Sequence, residues 1–249
     1  GSKYKDNETN LSVATFTWDN LIEIATWPDD NYTIEVYAND TVGNYRSRES
    51  WFVVDTTPPN LTDVNETGWV PPTPENNSYQ NTQQHTFNMT CNETYVDTVW
   101  IDFNGTINSS PLTDSEGAYW WTKTLADGDY WYIAYCNDTA GNSGETDNRT
   151  LHIDTSAPDV TLISPSDASS VPNATQFFVA NFTDATNLTN ATLKIWNSTG
   201  AEVNSSDATI TGTINDSNIS IKLASAGTYE WNYYACDSLG NCGYATSNY

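Results

Sequence analysis

The sequence has few basic residues: eight Lys and Arg stand against thirty-two Asp and Glu, for a formal net charge of −24. Charged residues make up only 16% of the chain, so the imbalance comes from missing bases and not from an excess of acids. Proteins that bind nucleic acid or anionic lipid need Lys and Arg to neutralise phosphates. The composition therefore argues against nucleic acid as a partner.

Long apolar runs are also missing. No segment approaches the roughly 18 apolar residues that a membrane-spanning helix requires, and the chain does not open with the basic-then-apolar pattern of a signal peptide. We therefore expect no membrane insertion in this segment, with any export signal or anchor lying outside it.

Groups that commonly carry catalysis are scarce. There are two His residues, His85 and His152, both at strand positions, and no Ser/His/Asp set or Gly-rich phosphate loop appears. Carboxylate pairs such as Asp127 with Asp129 are an alternative source of chemistry, as the acids of a glycosidase. In an acidic, turn-rich chain such pairs are mostly solvated, so the sequence predicts no enzyme activity.

Aromatic residues are abundant at 13%, which gives the chain enough apolar material to fold. The Asn-x-Ser/Thr acceptor pattern occurs twenty-one times and predicts N-linked glycans on an exported protein. The alternative is a host that favours Asn and Thr on solvent-facing strands. The candidate acceptors include Asn31, Asn39, Asn60, Asn65, Asn92, Asn104, Asn108, Asn137, Asn148, Asn173, Asn181, Asn187, Asn197, Asn204, Asn215 and Asn218.

A repeat of about one hundred residues organises the chain. Three segments run Tyr, seven residues, Asp, two residues, Gly-Asn, and their Asp residues are Asp40, Asp138 and Asp237, 98 and 99 positions apart. That period is typical of one β-sandwich domain. The Asp-x-x-Gly-Asn element is interpreted as a hairpin turn in which Gly takes a positive φ.

A second repeated stretch marks the domain boundaries. WFVVDTTPPN begins at Trp51 and LHIDTSAPDV at Leu151, and each is interpreted as a last strand followed by a short linker. The predicted domains are 1–59, the C-terminal half of a repeat; 60–158, a complete repeat; and 159–249, a repeat lacking the end of its last strand. Alternating segments such as 21–27, 85–91, 98–103, 119–125, 176–182 and 219–223 predict strands throughout.

The combination of a Tyr-opened strand, Asp-x-x-Gly-Asn and Val-Asp-Thr-Thr-Pro-Pro resembles the Ig-like repeats found in tandem in large surface proteins of bacteria and archaea. The Cys-Asp-Ser-x-Gly-Asn-Cys element is similar to the archaeal versions. The resemblance covers nearly the whole chain and implies an all-β fold of tandem immunoglobulin-like β-sandwich domains arranged end to end, in an extracellular or cell-surface protein. It does not imply one function, since the fold serves as spacer, adhesin, fibre subunit and enzyme appendage.

Four Cys residues allow three pairings. Cys136 shares a strand face with Tyr132, and the matching face of the first repeat carries Tyr32, Ile34, Val36 and Ala38. We expect this apolar face to be the core face in both repeats. Cys91 ends an earlier strand, with Trp100 between the two in the Cys, Trp, Cys order of immunoglobulin domains. We therefore expect a bridge from Cys91 to Cys136 that joins the two sheets.

The remaining residues, Cys236 and Cys242, lie across a hairpin and can close a short loop. A zinc or redox site would need Cys-x-x-Cys spacing or nearby His ligands, and the sequence has neither. Two disulfides place the protein in an oxidising compartment.

Acidic residues at the linkers suggest a cation. Asp55, Asp154 and Asp159 lie where calcium could bridge two domains through carboxylate oxygens. The alternative is that Asp-Thr-x-x-Pro simply ends a strand. Aromatic residues such as Trp120, Trp121, Trp131 and Trp196 could be exposed and bind sugars or neighbouring subunits, although Trp on alternating strands more often fills a core.

These patterns predict a structural glycoprotein of the cell surface, a building block of an extracellular fibre, stalk or sheath whose partners are copies of itself or further repeats. One alternative is an adhesin that binds a sugar or protein on a host or neighbouring cell, and another is a spacer in a large secreted enzyme. The partial first and last repeats suggest an excerpt of a longer array, or a fibre subunit completed by neighbours, with residues 11–18 as a donated strand.

Overall fold

The computed structural model describes residues 26–61, 68–113, 118–172 and 175–249, which form strands and turns without any helix. Within these ranges there is accordingly no helix able to cross a membrane. The chain divides into two compact units, Gly1–Thr57 and Pro58–Tyr249. The predicted all-β fold class is confirmed. Outside the described residues lie the candidate acceptors Asn65 and Asn173, the segment 11–18 and most of the predicted strand 21–27.

The described part of the first unit is one antiparallel hairpin, formed by β1 (Asp30–Asn39) and β2 (Tyr45–Val54). At one end of it Tyr32 packs between Trp27 and Phe52, with ring centroids 4.6 Å and 5.7 Å away. Further along the same face of β1, Ile34 and Val36 are 47% and 54% exposed. The face predicted to be the core is therefore covered mainly at the Tyr32 end.

Residues 68–153, in the second repeat, form a two-layer β-sandwich, the second sandwich, within the second unit. The first layer is antiparallel and contains, in spatial order, β3 (Trp69–Val70), β5 (Gln84–Thr90), β9 (Ala118–Thr124) and β8 (Leu112–Thr113). The second layer contains, in spatial order, β4 (Ser78–Gln80), β12 (Arg149–Ile153), β10 (Gly128–Asp138), β6 (Val96–Phe103) and β7 (Thr106–Asn108), with β11 (Ser143–Glu145) also paired to β10. Within this layer only β4 and β12 pair in parallel among the described strands.

One hydrophobic core lies between these layers. Phe87 and Met89 of β5 and Trp121 of β9 meet Ile101 of β6 and Tyr132 of β10, and none of them is more than 3% exposed. The Tyr132 hydroxyl donates to the backbone oxygen of Pro74 at 2.9 Å. Burial raises the pKa of Tyr132 to about 12. On each of these strands, alternate side chains point to the core, as the two-residue period of a β-strand requires.

Trp100 does not occupy the core position that the Cys, Trp, Cys order suggested. The buried residues of β6 are Val99, Ile101 and Phe103, which share one face of the strand. Trp100 therefore lies on the opposite face. There it stacks on Tyr135 of β10, with ring centroids 5.1 Å apart. Trp69 and Trp121, 1% and 3% exposed, fill the core instead.

Residues 159–249, in the third repeat, form the third sandwich, which has five strands: β13 (Asp159–Ser164), β14 (Thr175–Asn197), β15 (Glu202–Lys222), β16 (Tyr229–Asp237) and β17 (Cys242–Tyr244). The ladder of β14 shifts register between Thr183 and Leu188. Before the shift β14 pairs with β13, and after it with β16, while β15 follows it along both parts. The two long strands therefore run through both layers.

The layers of this sandwich also share one core. Phe178 and Phe182, before the register shift, pack against Trp231 and Tyr233 of β16, with ring centroids 5.3 Å and 5.4 Å apart. The Tyr233 hydroxyl donates to the backbone oxygen of Phe178 at 2.9 Å. Aromatic packing and this hydrogen bond hold the two layers together.

Both Cys pairs are disulfide-bonded. Cys91, directly after β5, is bonded to Cys136 on β10, so this bridge joins the two layers of its sandwich. Cys236 and Cys242 lie opposite each other on β16 and β17. The first pairing is the one expected from strand parity, and the second is the one expected across the hairpin.

A glycine lies where the chain enters each sandwich of the second unit. A Cβ atom on Gly144 would stand 2.4 Å from the backbone oxygen of Pro59 and 2.5 Å from Leu61 Cδ1. On Gly243 it would stand 2.9 Å from Ala157 Cβ. The segment around Pro59 therefore passes β11, and the segment around Ala157 passes β17, at a distance that leaves no room for a side chain at either glycine.

Candidate metal centre at the linker

The Asp-x-x-Gly-Asn motif forms the same turn in all three repeats. Asp237 Oδ1 accepts the backbone N–H groups of Leu239 at 2.9 Å and Asn241 at 2.8 Å, and its Oδ2 accepts Asn241 Nδ2 at 2.8 Å. Asp40 and Asp138 accept the equivalent bonds. Gly240 has a φ of +87°, which glycine adopts at little cost. The motif therefore acts as the predicted turn.

Another pair of acids, Asp29 and Asp127, holds the linkers. Asp127 accepts Thr155 N at 3.0 Å, Thr155 Oγ1 at 2.8 Å and Ser156 Oγ at 2.6 Å. Asp29 accepts the same three bonds from the two linker threonines of the first unit, at 2.9, 2.8 and 2.6 Å. Hydrogen bonds from the Ser156 and Thr155 side chains lower the pKa of Asp127, so its charged form is favoured.

Further hydrogen bonds cross from the second sandwich to the third. Asn241 Nδ2 donates to the backbone oxygen of Asp154 at 2.9 Å, and Asn81 Nδ2 donates to that of Leu239 at 2.8 Å. The Asp237 turn is therefore fixed against the linker that precedes its own domain.

Three carboxylates meet at this junction. Asp154 comes from the linker, Asp184 from the register shift of β14 and Asp237 from the turn, and one oxygen of each lies within 4.8 Å of the others. Asp154 and Asp237 are 4% and 2% exposed, and Asp184 is partly buried. The ion pairs between described residues, His152 with Asp129 and Lys194 with Glu202, do not involve the cluster.

The cluster has more acceptors than donors. Asp154 Oδ2 is buried without a hydrogen-bond partner. Thr186 Oγ1 lies 2.8 Å from Asp184 Oδ1 and 3.1 Å from Asp237 Oδ2, but its single proton serves one of them at a time. Burial raises the pKa of Asp184, and the charges of Asp154 and Asp237 raise it further. Buried carboxylates in this situation are costly unless a positive charge joins them.

The donor set fits a hard divalent cation, since carboxylate oxygens are the ligands that calcium prefers. Asp154, Asp184 and Asp237 would hold it, and the cation would supply the missing positive charge. Of the three Asp residues predicted as calcium ligands, Asp154 lies in this cluster. Asp159 is exposed at the start of β13 and lies outside it. Asp55 belongs to the first unit, where it accepts Thr57 N at 3.1 Å.

Sequence reasoning missed Asp184 and Asp127. Asp184 lies in no repeated motif, and only the register shift of β14 brings it to the junction. Asp127 was interpreted as half of a solvated acid pair, although its spacing of 98 from Asp29 was a usable signal. Asp237 was interpreted as a turn residue alone, whereas one of its oxygens also belongs to the cluster.

The two His residues lie on strands. His85 of β5 is 8% exposed, with Nε2 2.7 Å from the backbone oxygen of Thr82. His152 of β12 lies 2.6 Å from Asp129 and stacks on Tyr79, with ring centroids 4.4 Å apart.

None of the candidate glycan acceptors that the structure describes is buried. Some use the amide oxygen structurally: Asn137 Oδ1 accepts Thr98 N at 2.9 Å, and Asn104 Oδ1 accepts Trp131 N at 2.7 Å. The described acceptor side chains are thus all at least partly open to solvent.

Residues 60–155 match the family described as Bacterial Ig-like domain. Similar solved structures include the fibronectin(III)-like modules of Clostridium thermocellum CbhA, at 17% identity and a TM-score of 0.32, covering 73% of this chain and 89% of that one. A tetra-tandem repeat from the extending region of a large adhesion protein has 22% identity and a TM-score of 0.37, covering 91% and 58%. Domains A168–A170 of titin have 10% identity and a TM-score of 0.39, covering 88% and 72%.

No curated protein matches the chain. The family match spans all the described strands of the second sandwich, β3 to β12. Residues 60–155 are therefore similar to bacterial Ig-like domains, within a chain whose described residues have the all-β fold expected of Ig-like repeats.

Proposed function

We propose that the chain is a structural segment of an extracellular or cell-surface protein, in which Ig-like sandwiches hold their neighbours at a fixed spacing. The observation that carries this proposal is the linker at residues 154–158. Thr155 and Ser156 are bonded to Asp127 of the second sandwich, and the backbone of Asp154 is bonded to Asn241 of the third. A linker that is hydrogen-bonded to both neighbouring sandwiches fixes the position of one relative to the other, whereas a linker without such bonds would act as a flexible tether.

The surface chemistry supports an exported location. Two disulfides are typical of an oxidising compartment. The exposed acceptor sites and the net charge of −24 fit a glycosylated protein kept soluble outside the cell. Its partners in this proposal are copies of itself or further repeats, in a fibre, stalk or sheath, and the segment has no catalytic activity of its own.

A divalent cation completes the proposal. Asp154, Asp184 and Asp237 come from the linker, the body and the turn at one junction, so a calcium ion bound among them would cross-link all three. The buried Asp154 Oδ2, which has no hydrogen-bond partner, supports this step. Calcium would thereby stiffen the junction between the second and third sandwiches.

Relaxation measurements on ¹⁵N-labelled chain test the fixed linker. We expect the amides of residues 155–157 to be as ordered as those of β12 and β13, and the two sandwiches of the second unit to share one rotational correlation time. Asp127→Ala should loosen the linker while leaving both sandwiches folded. Independent tumbling of the two sandwiches in the wild-type chain, with or without calcium, would contradict the proposal.

Electron microscopy of the native material separates the fibre from its alternatives. Ordered filaments support the structural assembly. Isolated rods that carry a distinct terminal domain would favour an adhesin or the spacer of a secreted enzyme.

A further inference from the structure

The outer face of the second sandwich carries a depression that the linker function does not use. Its volume is about 660 Å³, and its lining includes Trp131, Asn76, Asn77, Asn148 and Thr150. Small-ligand sites commonly measure about 300–1,000 Å³. We propose that this depression binds a neutral glycan.

Trp131 supplies an apolar platform. It lies on β10 with its side chain turned away from the core and is 37% exposed. Its backbone is fixed on both sides, since Trp131 N donates to Asn104 Oδ1 at 2.7 Å and its oxygen accepts Asn104 N at 3.0 Å. A flat ring on a rigid strand can pack against the C–H face of a sugar with little loss of side-chain freedom.

Amide groups beside the ring supply the polar contacts. Asn76 Oδ1 accepts Thr150 N at 2.9 Å, and Asn77 Oδ1 lies 3.0 Å from His152 Nε2. These contacts hold both amides by their oxygens, and neither Nδ2 group has a hydrogen bond within the described residues. Two oriented N–H donors and the Thr150 hydroxyl match the adjacent hydroxyl groups of a sugar.

His152 holds Asn77 in place and is itself held by two neighbouring side chains. His152 Nδ1 lies 2.6 Å from Asp129 Oδ1, and the ring is stacked on Tyr79 at 4.4 Å. Asn77 itself has a φ of 58°, in the left-handed region that Asn tolerates better than most residues. The recognition groups are therefore held in position before a ligand arrives.

Charge selects against acidic sugars. The lining residues include no Lys or Arg, and the chain carries a net charge of −24. Sialylated, sulfated or uronic-acid glycans would meet repulsion without a compensating cation. The ligand class that remains is an uncharged glycan.

Two further aromatic residues lie on the same outer face as Trp131, so the apolar surface is larger than one sugar unit. Trp100 and Tyr135 stack with ring centroids 5.1 Å apart, and Tyr135 lies four residues after Trp131 on β10. Four residues of a strand span about 13 Å. A glycan of several units could therefore contact both aromatic groups.

The glycan can have two sources. Asn148 lines the depression and is itself a candidate acceptor, so a glycan attached there would sit beside Trp131 at a high effective concentration. A glycan on a separate molecule would enter the same depression when Asn148 is unmodified.

The test uses the chain made in a host that does not N-glycosylate, titrated with neutral glucose-, mannose-, galactose- and N-acetylglucosamine-based oligosaccharides and with sialylated and sulfated ones. We expect at least one neutral series to bind in the micromolar to millimolar range and the acidic ones not to bind. Trp131→Ala and Asn77→Ala should each weaken binding at least tenfold. Trp51→Ala, which removes another exposed Trp, should not change it.

Failure of every neutral series to bind would overturn the proposal, as would equal binding by a folded Trp131→Ala chain. A second preparation from a glycosylating host identifies the source. If the wild-type chain then binds no added glycan and Asn148→Gln regains binding, the chain's own glycan fills the depression. If both bind alike, the ligand belongs to another molecule. Neither result depends on the order of the linker.

Discussion

Asn241 connects a turn and a linker through one amide group: its Nδ2 lies 2.8 Å from Asp237 Oδ2 and 2.9 Å from the backbone oxygen of Asp154. Asp237 and Asp154 also each contribute an oxygen to the acidic cluster. The shape of the turn, the path of the linker and the charge at the junction are therefore coupled. A substitution that changes the turn, the linker path or the charge at the junction should therefore alter the other two.

Calcium should stabilise the third sandwich through Asp184. At about 100 times its dissociation constant a ligand stabilises the folded state by about 2.7 kcal/mol, so the unfolding temperature should rise with calcium and fall back with a chelator. Asp184→Asn should remove most of this response. In chelator the variant should be at least as stable as the wild type, because it lacks one of three repelling carboxylates. Differential scanning calorimetry checks both expectations.

Asp159→Asn is the matched control. It removes the same charge at the same linker, but from an exposed position outside the cluster. We expect it to keep the full calcium response. A wild-type chain that does not respond to calcium, or an equal loss in both variants, would rule out the site.

The linker should loosen in acid with a midpoint below that of an ordinary aspartate. Hydrogen bonds from Ser156 and Thr155 lower the pKa of Asp127 from 3.8. A lowered folded-state pKa means that the contribution to stability is present above 3.8 and is lost as the pH falls through the folded value. The amide shift of Thr155, whose backbone N–H donates to Asp127 Oδ1 at 3.0 Å, should report that midpoint when it is followed by NMR.

Asp127→Asn serves as the control for this titration, because it should abolish the pH dependence of the Thr155 amide. A midpoint at or above 3.8 in the wild-type chain would show that the hydrogen bonds do not favour the charged form.

The two disulfides should contribute unequally. The Cys91–Cys136 bridge spans 45 positions and the Cys236–Cys242 bridge spans 6. By the chain-entropy relation the first stabilises by about 4 kcal/mol and the second by about 2.4 kcal/mol. Replacing each pair by Ala and measuring urea unfolding should reproduce that order. A larger loss for the short bridge would contradict the entropic account.

Gly144→Ala should destabilise the second sandwich by about 1–3 kcal/mol, the usual cost of overpacking. Its Cβ would stand 2.4 Å from a backbone oxygen, which cannot move without shifting the linker. Gly227→Ala is the comparison, because its nearest neighbour would be the Tyr229 ring at 3.7 Å. Thermal unfolding of the two variants should separate them clearly, and similar values would argue against a steric role for Gly144.

Period-two alternation was enough to predict much of the fold. It predicted the buried face of Tyr132 and the inward direction of Cys136, because side chains alternate between the two faces of a strand and the apolar ones mark the buried face. The same rule also accounts for Trp100, which shares its strand face with Asp102 while Ile101 lies on the other. The immunoglobulin-like order of Cys, Trp and Cys was the weaker signal.

The acidic junction could not be predicted in full, since it depends on three-dimensional register. Asp154 and Asp237 lie in repeated motifs, but Asp184 reaches them only because the β14 ladder slips between Thr183 and Leu188. Nothing local in the sequence fixes the length of that slip. The depression beside Trp131 likewise depends on the parallel pairing of β4 with β12, a contact between segments more than seventy residues apart.

The position of the Cys91–Cys136 bridge limits how far the second sandwich can lengthen when its ends are pulled apart. The bridge encloses 45 positions, so about 150 Å of extended chain stays locked in the loop after the strands separate. The Cys236–Cys242 bridge encloses only 6 positions, so it locks very little of the chain. Under load the second sandwich would therefore extend by only about half of its chain, while the third would extend by almost all of its chain.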